Sequence, residues 1–225
     1  MKEDTAKGKT KHEKYKFLTF AVCILQSAFL LSGCVTAQGE VEAGRRDLLY
    51  GEPNRAVARF QRATEIAPDR LHFSVLPETA WTYLGRAHYA SGQLPEARQA
   101  LERAVSRSQD DNLAKLYLGL VRVREGDRER GLRDIENGLR GIHEWLNYVE
   151  ERRKNSYGRF WDPNKEIRAR IRPTLAMISS GKTDGPKLIA DAEWVGKRME
   201  EEIDLARRDE SDERSRDGSD NDGHP

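Results

Sequence analysis

Cys34 closes the stretch Leu31-Ser32-Gly33-Cys34 and offers a sulfur nucleophile with small residues before it. Two other stretches hold residue types that could do chemistry. Ser179-Ser180-Gly181-Lys182-Thr183 has the lysine and hydroxyl of a phosphate-cradling loop. The first glycine of such a loop would fall at Ala176, and no strand pattern precedes it, so the stretch reads as a helix-ending turn. His143-Glu144-Trp145-Leu146-Asn147 starts like a zinc-binding helix, but Asn147 stands where the second histidine must be. Beyond residue 33 the histidines are His72, His88, His143 and His224, scattered along the chain. His88 reads as a buried or half-buried structural residue. No local nucleophile–base pair shows. The expectation is therefore no metal, no cofactor and no enzyme.

The surroundings of Cys34 give its chemistry a setting. Six lysines against three acidic residues leave residues 1–33 at +3, and because the whole chain is +1, the remainder is −2. Phe17 to Leu31 is an apolar run that includes Gln26 and Ser27, shorter than the roughly 20 residues of a spanning helix. A basic start, an apolar run and small residues before a cysteine are the parts of an export signal. Leu31-Ser32-Gly33-Cys34 resembles the lipobox of bacterial lipoproteins. The resemblance implies a diacylglycerol on the Cys34 thiol, cleavage before it, and acylation of its new amino group. Cys23 would leave with the signal, so disulfides and cysteine metal sites are not expected. Several acyl chains would hold such a protein stably to a membrane. Val35 stands where an aspartate retains many such lipoproteins in the inner membrane, so the resemblance implies the periplasmic face of the outer membrane. The weakly acidic body excludes general nucleic-acid binding.

Behind the anchor the pattern is helical and periodic. From Glu78, residues Trp81, Leu84, Gly85, Gly92, Ala97, Leu101 and Ala104 fall at positions 4, 7, 8, 15, 20, 24 and 27 of a unit. From Asn112 the pattern recurs with Leu118, Gly119, Gly126 and Ile135, and with Gly131 and Gly138 in place of the two alanines. From Ala37 it recurs with Gly44, Gly51, Ala56, Phe60, Ala63 and Pro68. This spacing strongly resembles the tetratricopeptide repeat. The resemblance implies an all-α solenoid of three helix pairs at 37–70, 78–111 and 112–145, with Leu71 to Pro77 inserted between the first two.

The remaining divisions follow from composition. Residues 1–33 read as the signal, 34–36 as a lipid-anchored linker, 146–208 as a C-terminal helical extension, and 209–225 as a disordered polar tail without large apolar residues. Asp162-Pro163 reads as a helix start, and Pro173 should kink or split that helix. Leu188, Ala192, Val195, Met199, Ile203 and Ala206 form the most regular amphipathic stripe in the chain. The aromatics Trp145, Tyr148, Tyr157, Phe160, Trp161 and Trp194 read as core more than interface.

In the tetratricopeptide family the first helix of each repeat lines a concave groove through positions 2, 5, 9 and 12. In the third repeat these are Leu113, Leu116, Leu120 and Val123, which should be covered by a partner or, preferentially, by the chain's own C-terminal helices. Arg45 and Arg86 both fall at position 9, with Thr82 and Tyr89 near. They could receive an acidic peptide, although exposed arginines on solvated helices are the favoured reading. The functional expectation is a lipid-anchored adaptor holding a protein or peptide partner in the cell envelope. The competing expectation is an accessory or catalytic envelope protein acting through residues 146–206, which a cleft of clustered polar residues there would favour.

Overall fold

A computed structural model describes residues 36–71, 76–153, 157–181 and 184–219. The expected export signal and lipidation site, most of the insertion, His72 and His224 therefore lie outside the described residues. The body from Ala37 onward is all-helical, with no strand among the described residues. Its helices are α1 (Ala37–Leu49), α2 (Pro53–Ile66), α3 (Ala80–Ala90), α4 (Leu94–Arg107), α5 (Asn112–Arg124) and α6 (Arg128–Arg153). After them come a 3₁₀ turn (Tyr157–Phe160), α7 (Glu166–Ser179) and α8 (Gly185–Ser219). None of them is long and apolar enough to cross a membrane.

The first six helices form three packed pairs, α1–α2, α3–α4 and α5–α6, which stack in chain order. Successive inner helices touch one another, α1 on α3 and α3 on α5, so the inner row α1, α3, α5 forms the closely spaced side of the stack. This is a tetratricopeptide-type α-solenoid. Local chemistry sets the boundaries. Gly51, Gly92 and Gly126, one at position 15 of each unit, adopt φ of 76°, 74° and 96°. That left-handed conformation ends the inner helix, and glycine takes it without strain. Proline in the first turn starts α2 and α4. Thr79 and Thr82 cap α3 reciprocally, and the Asp111 carboxylate accepts the Ala114 N–H at 2.8 Å to start α5.

Within each pair, a glycine of the inner helix meets the outer one. A methyl group added at Gly44 or Gly85 would strike the Phe60 ring or the Leu101 side chain. At Gly119 it would lie 2.6 Å from the Ile135 backbone nitrogen, and at Gly138 2.6 Å from the Leu116 backbone nitrogen. The third pair is thus packed backbone against backbone, which explains why glycines replace the alanines there. The apolar interior falls into two clusters. One joins α1, α2 and α3 around Phe60 and Tyr83, whose rings stack at 5.4 Å. The other runs from α4 through α5 and α6 to α7 and α8.

Three expectations need correction. The helix after Asp162-Pro163 begins only at Glu166, because Asp162 (φ 47°) and Lys165 (φ 60°) form a turn closed by Lys165 N–H on the Asp162 carbonyl. Asp162 still caps it, from further back, accepting the N–H groups of Ile167 (3.0 Å) and Arg168 (3.2 Å). Pro173 does not split α7: the proline and Ala169, whose carbonyl loses its partner, both lie at exposed positions where water can serve. The polar segment from Asp209 is helical as far as Ser219. Glutamate and arginine are good helix formers, and their mixed signs favour a solvated helix without a core to pack on.

Candidate functional site

The groove face of the inner row is occupied by the chain itself. Leu116 and Leu120 are fully buried and Leu113 nearly so, with Val123 partly covered at the edge. Helix α8 packs on α5 and brings the buried stripe Leu188, Ala192, Val195, Met199, Ile203 and Ala206. Leu113 and Met199 line one small pocket together with Ile142 and Trp145. A methyl group at Gly196 would sit 2.7 Å from the Tyr117 ring, so this glycine lets α8 close onto α5. Covering roughly 400 Å² of apolar surface contributes on the order of 10 kcal/mol before ordering costs.

Towards the first two repeats the same helix turns polar. Glu200, 2 % exposed, receives Arg45 on one carboxylate oxygen and Arg86 on the other, the latter at 2.5 Å. Arg45 also reaches Asp204 at 3.0 Å, and its Nη1 lies 3.6 Å from Glu42. Arg86 packs between the Tyr83 and Tyr117 rings, 5.6 and 5.2 Å from their centroids, and touches Glu78 at 3.5 Å. Tyr83 donates its hydroxyl to Glu78. Two turns earlier on α8, Glu193 accepts from Tyr89 (2.5 Å) and Arg124 (2.6 Å).

Of the residues singled out in the sequence, Arg45, Arg86 and Tyr89 grip α8, and Leu113, Leu116 and Leu120 lie beneath it. The favoured reading of Arg45 and Arg86 as exposed is wrong; they are 3 % and 5 % exposed. Solvated guanidinium groups were expected because each helix alone is polar, whereas the buried counter-charge comes from a helix more than a hundred residues away. Thr82 does not face α8. Its hydroxyl bonds Asp111 and caps α3, tying the second repeat to the third.

The electrostatics follow from burial. Glu200 loses hydration, yet Arg86 and Arg45 outweigh that loss and hold its carboxyl below the ordinary range. Burial, then the Glu200 charge, pushes Glu78 up to about 7 against the pull of Arg86. Burial raises Asp111 to about 6, opposed by bonds from Thr82, Ala114 and Thr79. A carboxyl near 7 could serve acid–base chemistry. Glu78, however, is 1 % exposed and held on Tyr83 and Arg86, so its shift belongs to the packing of the groove. What this arrangement does chemically is recognise carboxylates on a helix.

Glu200, Glu193, Gly196, Tyr117 and Glu78 escaped the sequence reading. A signal for three of them was present: Glu193, Gly196 and Glu200 follow one another at i, i+3 and i+7, a line beside the apolar stripe. The two other local motifs have structural roles. Nδ1 of His143 lies 3.2 Å from the Asn147 side chain one turn along α6, and α7 ends at Ser179 with Gly181 at φ 68°. The described residues include no group of three His, Cys, Asp or Glu side chains placed to hold a metal. His88 is buried, with Nδ1 2.5 Å from Gln93 Oε1. Trp161 is buried edge-on to Trp145 at 4.7 Å, whereas Tyr148 is exposed.

Comparison with known proteins agrees with the geometry. No curated protein matches the chain. Residues 48–119, from the end of α1 through most of α5, match the family model of the tetratricopeptide repeat.

Proposed function

We propose that this protein is a lipid-anchored adaptor holding a protein or peptide partner at a bacterial envelope membrane, on the periplasmic face of the outer membrane. The observation that carries the adaptor reading is the groove. Position 9 of two successive repeats supplies arginines that together clasp a carboxylate on a helix, beside an aliphatic floor from the third repeat. Tetratricopeptide repeats form protein-interaction scaffolds, and a groove already able to hold an amphipathic helix has the means of binding one. The anchor rests on Leu31-Ser32-Gly33-Cys34 following an apolar run. The competing reading, catalysis through residues 146–206, is disfavoured because that region is filled by Leu146, Val149, Trp161, Ile167 and Ile171.

Each half has its own test. Mass spectrometry of the membrane-extracted protein should find Cys34 as an acylated N-terminus, and Cys34→Ser should release the protein from membranes. An intact, unacylated peptide spanning Ser32 to Thr36 would sink the anchor. For the adaptor, a photo-crosslinking residue at Leu49 or Lys197, on the open cleft beside α8, should give one discrete protein adduct in cells. Only self-adducts or none would remove it.

A further inference from the structure

Resting on the adaptor reading, we propose that α8 is the groove's resident ligand and that the partner docks by a helix of the same kind. That helix is amphipathic, with carboxylates at i and i+7 and a glycine at i+3, and it takes the place of α8.

The groove has a receptor for each feature. Residues i, i+3 and i+7 lie within about 60° of one another around a helix, so one face presents all three. Tyr89 and Arg124 take the first carboxylate, the Tyr117 ring fills the gap left by the glycine, and Arg86 with Arg45 takes the second. The apolar residues next to this line, Val195 and Met199, share one buried cluster with the Leu113, Leu116 and Leu120 floor. A helix without the second carboxylate would bury two guanidinium groups with their main partner missing. The site therefore rejects purely apolar or basic helices as well as attracting acidic ones.

The structure also makes α8 the element that can leave. The cluster around Phe60 and Tyr83 contains no residue of α8, so that core stays intact when α8 detaches. What opens is the share of α8 in the larger cluster, which it forms with residues of α4, α5, α6 and α7. The contrast with α5 and α6 is direct. Those helices meet backbone to backbone, whereas Gly196 of α8 meets only a side chain. A cleft lined by Leu48, Leu49, Tyr89 and Lys197 runs open beside α8 and gives an incoming helix a first foothold. The short link from α7 keeps α8 tethered, at an effective concentration on the order of 1 mM. A competitor must overcome that concentration, which makes α8 a threshold against weak partners.

The test uses the full chain in detergent and, as probe, a labelled synthetic peptide of residues 185–208. In the unmodified chain, amide hydrogens of α8 should exchange at least tenfold faster than those of α5, and excess peptide should raise the α8 rate further. In the Glu200→Lys chain, whose own helix is repelled by Arg45 and Arg86, the peptide should bind at least tenfold tighter than to the unmodified chain. A peptide carrying Glu200→Gln should bind at least tenfold more weakly. If Glu200→Lys does not fold, as read by circular dichroism, exchange in the unmodified chain decides. Exchange of α8 only together with α5, with no peptide bound, would overturn the proposal and make α8 a permanent part of the fold. A dimer trading α8 between copies would overturn the assignment to a different protein. Neither result touches the crosslinking test of the adaptor itself.

Discussion

Position 9 of the inner helix is leucine in the third repeat and arginine in the first two, and one helix, α8, answers both. Against Leu120 it sets an apolar stripe; against Arg45 and Arg86 it sets Glu200. The apolar half supplies most of the attachment energy, since it scales with area removed from water. The charged half adds less net energy, because desolvating the ions consumes much of their attraction. What it adds is register. Sliding α8 by one residue would leave its stripe partly covered, but would bury two guanidinium groups away from their carboxylate. The comparison teaches that affinity and alignment can be divided between two ends of one groove.

The comparison breaks first at Glu200. Glu200→Ala leaves both arginines buried without it and should cost about 3–5 kcal/mol, read by denaturant melts. A loss below about 1 kcal/mol would mean that water reaches the site and that register is set elsewhere. Next in size is the difference between repeats. Gly119→Ala forces a methyl group onto the Ile135 backbone and should cost about 1–3 kcal/mol. Gly85→Ala meets the Leu101 side chain rather than backbone and should cost less in the same melts. Equal losses would deny that the third pair is the more tightly built.

A smaller effect comes from pH. Glu78 is raised from 4.5 to about 7 and Asp111 from 3.8 to about 6, both chiefly by burial. Between each pair of values the folded chain holds a proton that the unfolded chain has lost, so these groups make stability fall as pH rises. Glu200, shifted the other way, contributes stability present above 4.5 and lost as pH falls through its lowered folded value. The melting temperature should therefore decline from about pH 5 to about pH 8, and Glu78→Gln should flatten the upper part of that decline. A slope unchanged in Glu78→Gln would place the titration elsewhere. The smallest effect is expected from deleting residues 209–225. The segment brings no large apolar residue, so stability should stay within about 0.5 kcal/mol. A larger loss would show that the charged end of α8 contributes to holding the groove closed.

Much of the fold was legible because it depends on residues close in sequence. Gly44, Gly85 and Gly119 recur at position 8, and Gly51, Gly92 and Gly126 at position 15, since each pair must approach closely and each inner helix must end. Helix boundaries near Asp162 were less legible. There, one turn with positive φ at Asp162 and Lys165 delays the helix, and the Asp162 N–H is braced by the Glu202 carboxylate of α8 at 2.8 Å. That support is invisible in a local window.

By itself, the sequence determined the all-helical stack, the identity of its inner row and the aliphatic floor of the groove. Those features follow from helical periodicity and from steric demands repeated at constant spacing. It also determined that α8 would be amphipathic and would look for an apolar surface. Only the tertiary structure decided which residue of α8 meets Arg45 and Arg86, and with it whether those arginines face water or a carboxylate. Burial of a charge depends on a partner brought from far along the chain, and a one-residue shift in helix register exchanges Met199 for Glu200 at the same surface. Periodicity predicts a face, whereas the pairing of charges across a groove is fixed only when the helices pack.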